Sequence, residues 1–150
     1  MPKALEEELK NLRKIEIAIN KNLFVMCSII TLIVMIIVVI EFFSRGSFPP
    51  SGINFFYISI LFLYTIHKEI LRWLEKKEIQ RQGEYFVYAW IALVIILYIV
   101  NFFTKNYFNY SPKGILVGSI ENTTLISLEV FAIFIFTRIS KAVKINLEKK

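Results

Sequence analysis

Eighteen consecutive residues, Leu23–Ile40, carry no charge, and only Ser28 and Thr31 interrupt their apolar character. As a helix they span about 27 Å, and with Glu41-Phe42-Phe43 they cover a hydrocarbon core of about 30 Å. The run exceeds the apolar stretch of about 7–15 residues in a secretory signal, and no small-x-small cleavage pattern follows it. It reads as a retained transmembrane helix. Composition agrees, with 56% hydrophobic residues and a mean hydropathy of +0.58.

The rest of the chain repeats the theme. SRGSFPPSG, residues 44–52, is a turn with two glycines and a Pro-Pro pair that a helix does not continue through. Ile53–Ile66 is a second, aromatic-rich apolar run of 14 residues, expected to continue as one helix towards Ile79 with Gly83 as its first stop. Tyr85–Phe103 is a third span, entered through Tyr85, Tyr88 and Trp90, which suit an interfacial aromatic belt. After a second turn, Thr104–Gly114, residues 115–139 hold a fourth. The expected fold is an all-α integral membrane protein: four transmembrane helices as two sequential hairpins, with cytoplasmic helical extensions. The spans fall at about 23–43, 53–72, 85–103 and 117–138, inside a membrane domain 23–139 with a linker over 67–84. Residues 1–22 form a cytoplasmic amphipathic helix and residues 140–150 a basic cytoplasmic tail.

Lysine and arginine set the orientation. Residues 1–22 hold five, the island His67–Tyr85 five and residues 138–150 five, against one (Arg45) in the first turn and two (Lys105, Lys113) in the second. Fifteen against three puts both termini in the cytoplasm by the positive-inside rule, and so requires an even number of spans. The localisation expected is the plasma membrane. The net charge of +6 sits beside apolar runs, so the partners it implies are anionic lipid headgroups and not nucleic acid.

In the first segment Leu5, Leu9, Leu12, Ile15 and Ile19 fall at spacings of 4, 3, 3 and 4, one stripe of a helix. Such a stripe is expected to lie against lipid, a second copy or a partner, with Trp73 as a further contact of that kind.

Two stretches match each other. EFFSRGSF (41–48) lies over NFFTKNYF (101–108) at an offset of 60, and PSGI (50–53) over PKGI (112–115) at 62. INKN (19–22) also lies over IQRQ (79–82). A duplication with these offsets would be a parallel repeat about the membrane normal, the alternative being chance matching in Phe-rich sequence.

Few residues offer chemistry. Glu129 lies near the middle of the fourth span, with Asn122 and Leu125 on its helical face. A carboxylate at that depth costs about 2.5–3.5 kcal/mol and is normally turned inward, partnered or protonated. Its expected surroundings are the bundle interior near His67, because His67 and Glu129 each stand 15 residues past a matched glycine, Gly52 and Gly114. The site would be either a proton or cation site, or a polar clamp between helices or subunits. One cysteine, Cys27, and one histidine allow no disulfide and give no pattern for a metal or other cofactor. No nucleophile elbow, phosphate loop or H-E-x-x-H motif occurs, so no enzyme is indicated. The expected function is a non-catalytic membrane subunit or scaffold that oligomerises or binds a membrane partner. The alternatives are a small proton- or cation-coupled transporter or channel using Glu129, and a holin-like pore former.

Overall fold

Residues 3–48, 52–74 and 83–148 are described by the structure, a computed structural model; the side chains of residues 3–6, 9, 13 and 74 lie outside that description. Four helices follow one another: α1 (Lys3–Ser44), α2 (Ile53–Leu74), α3 (Glu84–Phe103) and α4 (Ser119–Glu148), with a short 3-10 turn at Tyr107–Asn109 between the last two. The start of α1, the end of α2, the start of α3 and the end of α4 lie at one end of the bundle, the basic end. The two tight connections lie at the other, the hairpin end.

Three of the helices are long and apolar enough to cross a membrane: α1 over Lys10–Ser44, α3 and α4. α2 is not among them, so three of the four expected spans meet that measure among the described residues. His67, Lys68, Glu69 and Arg72 occupy its last turns and leave an apolar run of 14 residues, Ile53–Ile66, about 21 Å long against the 30 Å needed. α2 is also the most enclosed helix, so its polar residues meet other helices more than the surroundings. The expected continuation of α2 to Ile79, and the island residues Lys76, Lys77 and Arg81, lie outside the described residues.

α1 pairs with α2, α3 with α4, and α2 also lies along α4. α2 and α3 therefore stand diagonally across the bundle. Tyr57, Leu61, Tyr64, Lys68 and Leu71 of α2 are all buried, at spacings of 4, 3, 4 and 3. Cys27, Thr31, Val34, Val38 and Phe42 line α1 in the same way. Spacing of this kind keeps one face towards its neighbours and suits nearly aligned helix packing.

The distribution of polarity is inverted relative to a water-soluble bundle. Ile29, Leu32, Ile36 and Ile40 of α1 and Ile95, Ile96 and Ile99 of α3 face outward, while Thr31, Thr65, Thr123 and Ser127 are buried. The interior hydroxyls bond back onto their own helix, Thr31 to the Cys27 carbonyl and Thr123 to the Ser119 carbonyl, both at 2.7 Å. Those two hydroxyls are thereby satisfied, whereas the Tyr64 and Ser119 hydroxyls are enclosed without a partner among the described residues.

α1 is one continuous helix with no break between the segments expected at 1–22 and 23–43. At 42 residues it is about 63 Å long against about 33 Å for α2, so its first turns overhang the basic end.

The two turns at the hairpin end are built alike. Arg45 and Gly46 have φ of 54° and 75°, and Lys105 and Asn106, 60 residues on, have 53° and 63°. The Arg45 amide donates to the Phe42 carbonyl and the Ser47 amide to Ser44; Lys105 to Phe102 and Tyr107 to Thr104 repeat both bonds. The Ser44 hydroxyl donates to the Glu41 carbonyl three residues back, whereas the Thr104 hydroxyl lies nearer the Val100 carbonyl four back, at 2.8 Å, than that of Asn101, at 3.2 Å. The likeness is one of backbone. Phe42 is fully buried, whereas its counterpart Phe102 is 77% exposed.

Beyond the turns the halves diverge. Ser111–Gly114 is a reverse turn, the Gly114 amide donating to the Ser111 carbonyl at 2.9 Å, and Tyr110 and Leu116 form an antiparallel bridge. Gly114 and Gly118 take positive φ, and α4 begins only at Ser119, two residues later than the expected span. It then runs on to Glu148, so the described part of the expected basic tail is helix and not a separate segment.

Candidate functional site

Three places bring polar side chains together: the centre of the bundle, the outer face of α4 and the basic end. At the centre, Trp90 Nε1 donates to the Tyr57 hydroxyl at 2.8 Å. Tyr57 Oη and Thr31 Oγ1 stand 3.3 Å apart, and Thr31 Oγ1 also reaches the Cys27 carbonyl. Threonine has one hydroxyl proton, which the carbonyl takes, so Tyr57 supplies the bond between the two hydroxyls. The chain of donors thus ends on backbone. It fastens α1, α2 and α3 together and leaves no free base or nucleophile.

Glu129 does not face this interior. It is exposed on α4 in an apolar stripe with Leu125, Ala132 and Phe136, and makes no hydrogen bond or ion pair among the described residues. The expectation that it turns inward near His67 is therefore corrected. The late start of α4 is part of the reason: Glu129 is ten residues past Ser119, whereas His67 is fourteen past Ile53, so they fall about 6 Å out of step along the helices. Thr123, Ser127 and Val130 take the inward face of α4 instead. Asn122 is half-buried and lines an open cavity of about 880 Å³ at the hairpin end, with Glu41 and Asn54. His67 is half-buried near the basic end, its Nε2 enclosed without a hydrogen-bond partner among the described residues. The three candidates do not form one site.

The basic end is cross-tied. Arg72 donates to Glu69 Oε1 at 2.5 Å and to the Thr137 carbonyl at 3.3 Å, joining α2 to α4. Arg138 of α4 pairs with Glu84 of α3 and lies 4.9 Å from the centre of the Phe134 ring. Lys144 donates to the Arg72 carbonyl and stands 3.6 Å from Glu148. Trp73, expected as a lipid or partner contact, is half-exposed and donates to Ser140 Oγ at 3.1 Å.

Of the N-terminal stripe, Leu12, Ile15 and Ile19 are helical and exposed on the overhang of α1; the side chains of Leu5 and Leu9 lie outside the described residues. None of the described residues covers the described part of the stripe. Sequence reasoning missed Lys68. It is buried, 7% exposed, at the register position between Tyr64 and Leu71. The signal was available in the spacing 57, 61, 64, 68 and 71, which puts the lysine on the same face as two tyrosines.

None of the protein families, curated proteins or solved structures compared with the chain matches it.

Proposed function

We propose that the chain is a non-catalytic subunit of the plasma membrane, with all four helices embedded and both termini cytoplasmic, which assembles with further copies of itself through the exposed face of α4. The observation that carries the reading is Glu129, a carboxyl group among Leu125, Ala132 and Phe136 with no partner among the described residues. Facing lipid it costs about 2.5–3.5 kcal/mol, even on insertion scales. A second copy set against the same face would remove it from lipid and give it a hydrogen-bond partner. Intramembrane polar residues commonly act between helices in this way.

Other features support the setting. Large apolar residues, aliphatic and aromatic, face outward along the helices while Thr31, Thr65, Thr123 and Ser127 lie inside, an arrangement suited to lipid outside. An apolar surface so extensive is rare on a water-soluble monomer. The cationic segments gather at one end of the helices, as the positive-inside rule would have them. α2 would cross as an inner helix, its polar last turns shielded by α4. The transporter reading drew its support from a carboxylate inside the bundle. With Glu129 on the outside, a cation path would have to run along the contact between copies.

Cysteine cross-linking tests the assembly. In a Cys27→Ser background, Ala132→Cys on the Glu129 face should give a cross-linked dimer in membranes. Ile95→Cys on the exposed face of α3 should give much less. Equal yields from the two positions would count against α4 as the contact.

A further inference from the structure

A cavity of about 230 Å³ opens between α2, α3 and α4 at the basic end. Its floor is apolar, formed by Leu61, Phe86, Val130 and Phe134, and its walls carry Lys68, Arg72, Arg138, Lys141 and Lys144 against Glu84 and Glu148. Five cations and two carboxylates line the space, and a third carboxylate, Glu69, pairs with Arg72 beside it.

Lys68 is the decisive member. It is 7% exposed, lines the cavity, and has no hydrogen bond or ion pair among the described residues. The neighbouring carboxylates are engaged elsewhere, Glu69 with Arg72 and Glu84 with Arg138. One turn before it Tyr64 also lines the cavity, with its hydroxyl enclosed and unbonded among the described residues. Lys68 Nζ lies 5.9 Å from the centre of the Tyr64 ring. A buried lysine with no ion pair among the described residues and an idle hydroxyl on the same helix face are groups that a folded chain normally satisfies. Both are donors, so what would satisfy them is an acceptor carrying negative charge.

We infer that this cavity binds a phosphate-bearing anion, its oxygens held by Lys68 and the Tyr64 hydroxyl. The apolar floor continues into the part of the bundle that would lie in hydrocarbon. An anionic phospholipid, headgroup in the cavity and chains along that floor, matches both surfaces. Basic pockets between transmembrane helices at the cytoplasmic side suit such headgroups. A soluble phosphate ester offers the same oxygens without the chains. The inference rests on the membrane reading of the chain but not on the assembly of copies.

The full chain in nanodiscs of phosphatidylcholine, with or without phosphatidylglycerol, tests the site, using thermal unfolding and native mass spectrometry of retained lipid. Phosphatidylglycerol should raise the unfolding midpoint and be retained over phosphatidylcholine, and Lys68→Met should weaken that retention at least tenfold. Lys68→Met should unfold no earlier than the unsubstituted chain in pure phosphatidylcholine, because it removes an uncompensated charge. Lys141→Gln, at a less enclosed wall position, gives a second reading of the same loss. Protection by inorganic phosphate in phosphatidylcholine discs, lost in Lys68→Met, supports the site with a soluble ester as its ligand. Absence of protection by either probe, or protection that survives both substitutions, overturns it. A chain that stays out of the discs overturns this inference together with the membrane reading.

Discussion

Trp90 of α3 donates its indole N–H to the hydroxyl of Tyr57 on α2 at 2.8 Å, joining the two helices that stand diagonally across the bundle. Their ring centres are 5.7 Å apart, and both side chains are buried. Because Tyr57 also meets Thr31 of α1, one hydroxyl ties three helices together at a point where no water competes for it. The interior is specified here by hydrogen bonds as much as by fit, since helices that are apolar on all sides gain little from burying one side rather than another.

Tyr57→Phe should destabilise the bundle by about 1–3 kcal/mol, because it leaves the Trp90 N–H enclosed without an acceptor. Trp90→Phe alone removes the donor along with much packing area. In the double variant the penalties should fall short of additive by about 0.6–1.7 kcal/mol, the range measured between membrane helices. Steric-trap or denaturant unfolding in micelles would give the four values. Strict additivity would mean that the bond contributes nothing.

Gly46 makes a second, sharper requirement. Its φ of 75° is left-handed, and a Cβ built there would meet both Cγ atoms of Val117 at 3.2 Å. Gly46→Ala should cost about 1–2 kcal/mol from backbone conformation alone, with crowding added. Pairing it with Val117→Ala should recover only the crowding. Full recovery in the pair would show that conformation is not the constraint. Lys113→Ala, on the exposed turn nearby, supplies a baseline within about 0.5 kcal/mol.

The helix order, the hairpin pairing and the positions of both turns could be read from charge-free runs and from glycine and proline. Facing could not. In α4 the residues on either side are almost equally apolar, so the usual periodic signal is too weak to say which side is inward. The cost of a carboxylate at depth and the matched glycines point Glu129 to the interior near His67, but the cost argument holds only if the single chain is the whole assembly. The start of α4 was missed because Gly118 and the Tyr110–Leu116 bridge hold an extended stretch that, by composition, could have been helix. In the sequence Lys68 counts as one cation of the island His67–Tyr85 that sets the orientation. Its register with Tyr57, Leu61 and Tyr64 was the better guide.

The proposed topology has its own check. A reporter fused after Lys150 should read as cytoplasmic, and one inserted between Pro49 and Pro50 as external. The expectation rests on fifteen cationic residues at one end against three at the other. A cytoplasmic reading at the insertion would reverse the chain and move the cationic cavity to the wrong leaflet for an anionic headgroup.

Glu129 offers the test that separates assembly from mere tolerance of a charge. If copies meet on this face, Glu129→Gln should keep the assembled size, because the amide still donates and accepts across the contact. Glu129→Leu removes the bond and makes the single chain more comfortable in lipid, so both effects favour dissociation. Hydrogen bonds between membrane helices contribute about 0.6–1.7 kcal/mol, so self-association in Glu129→Leu should weaken roughly 3- to 20-fold. Energy transfer between labelled copies over a series of lipid-to-protein ratios would measure it. If all three chains associate equally, or the leucine variant associates most tightly, the carboxyl group is not what holds the copies together.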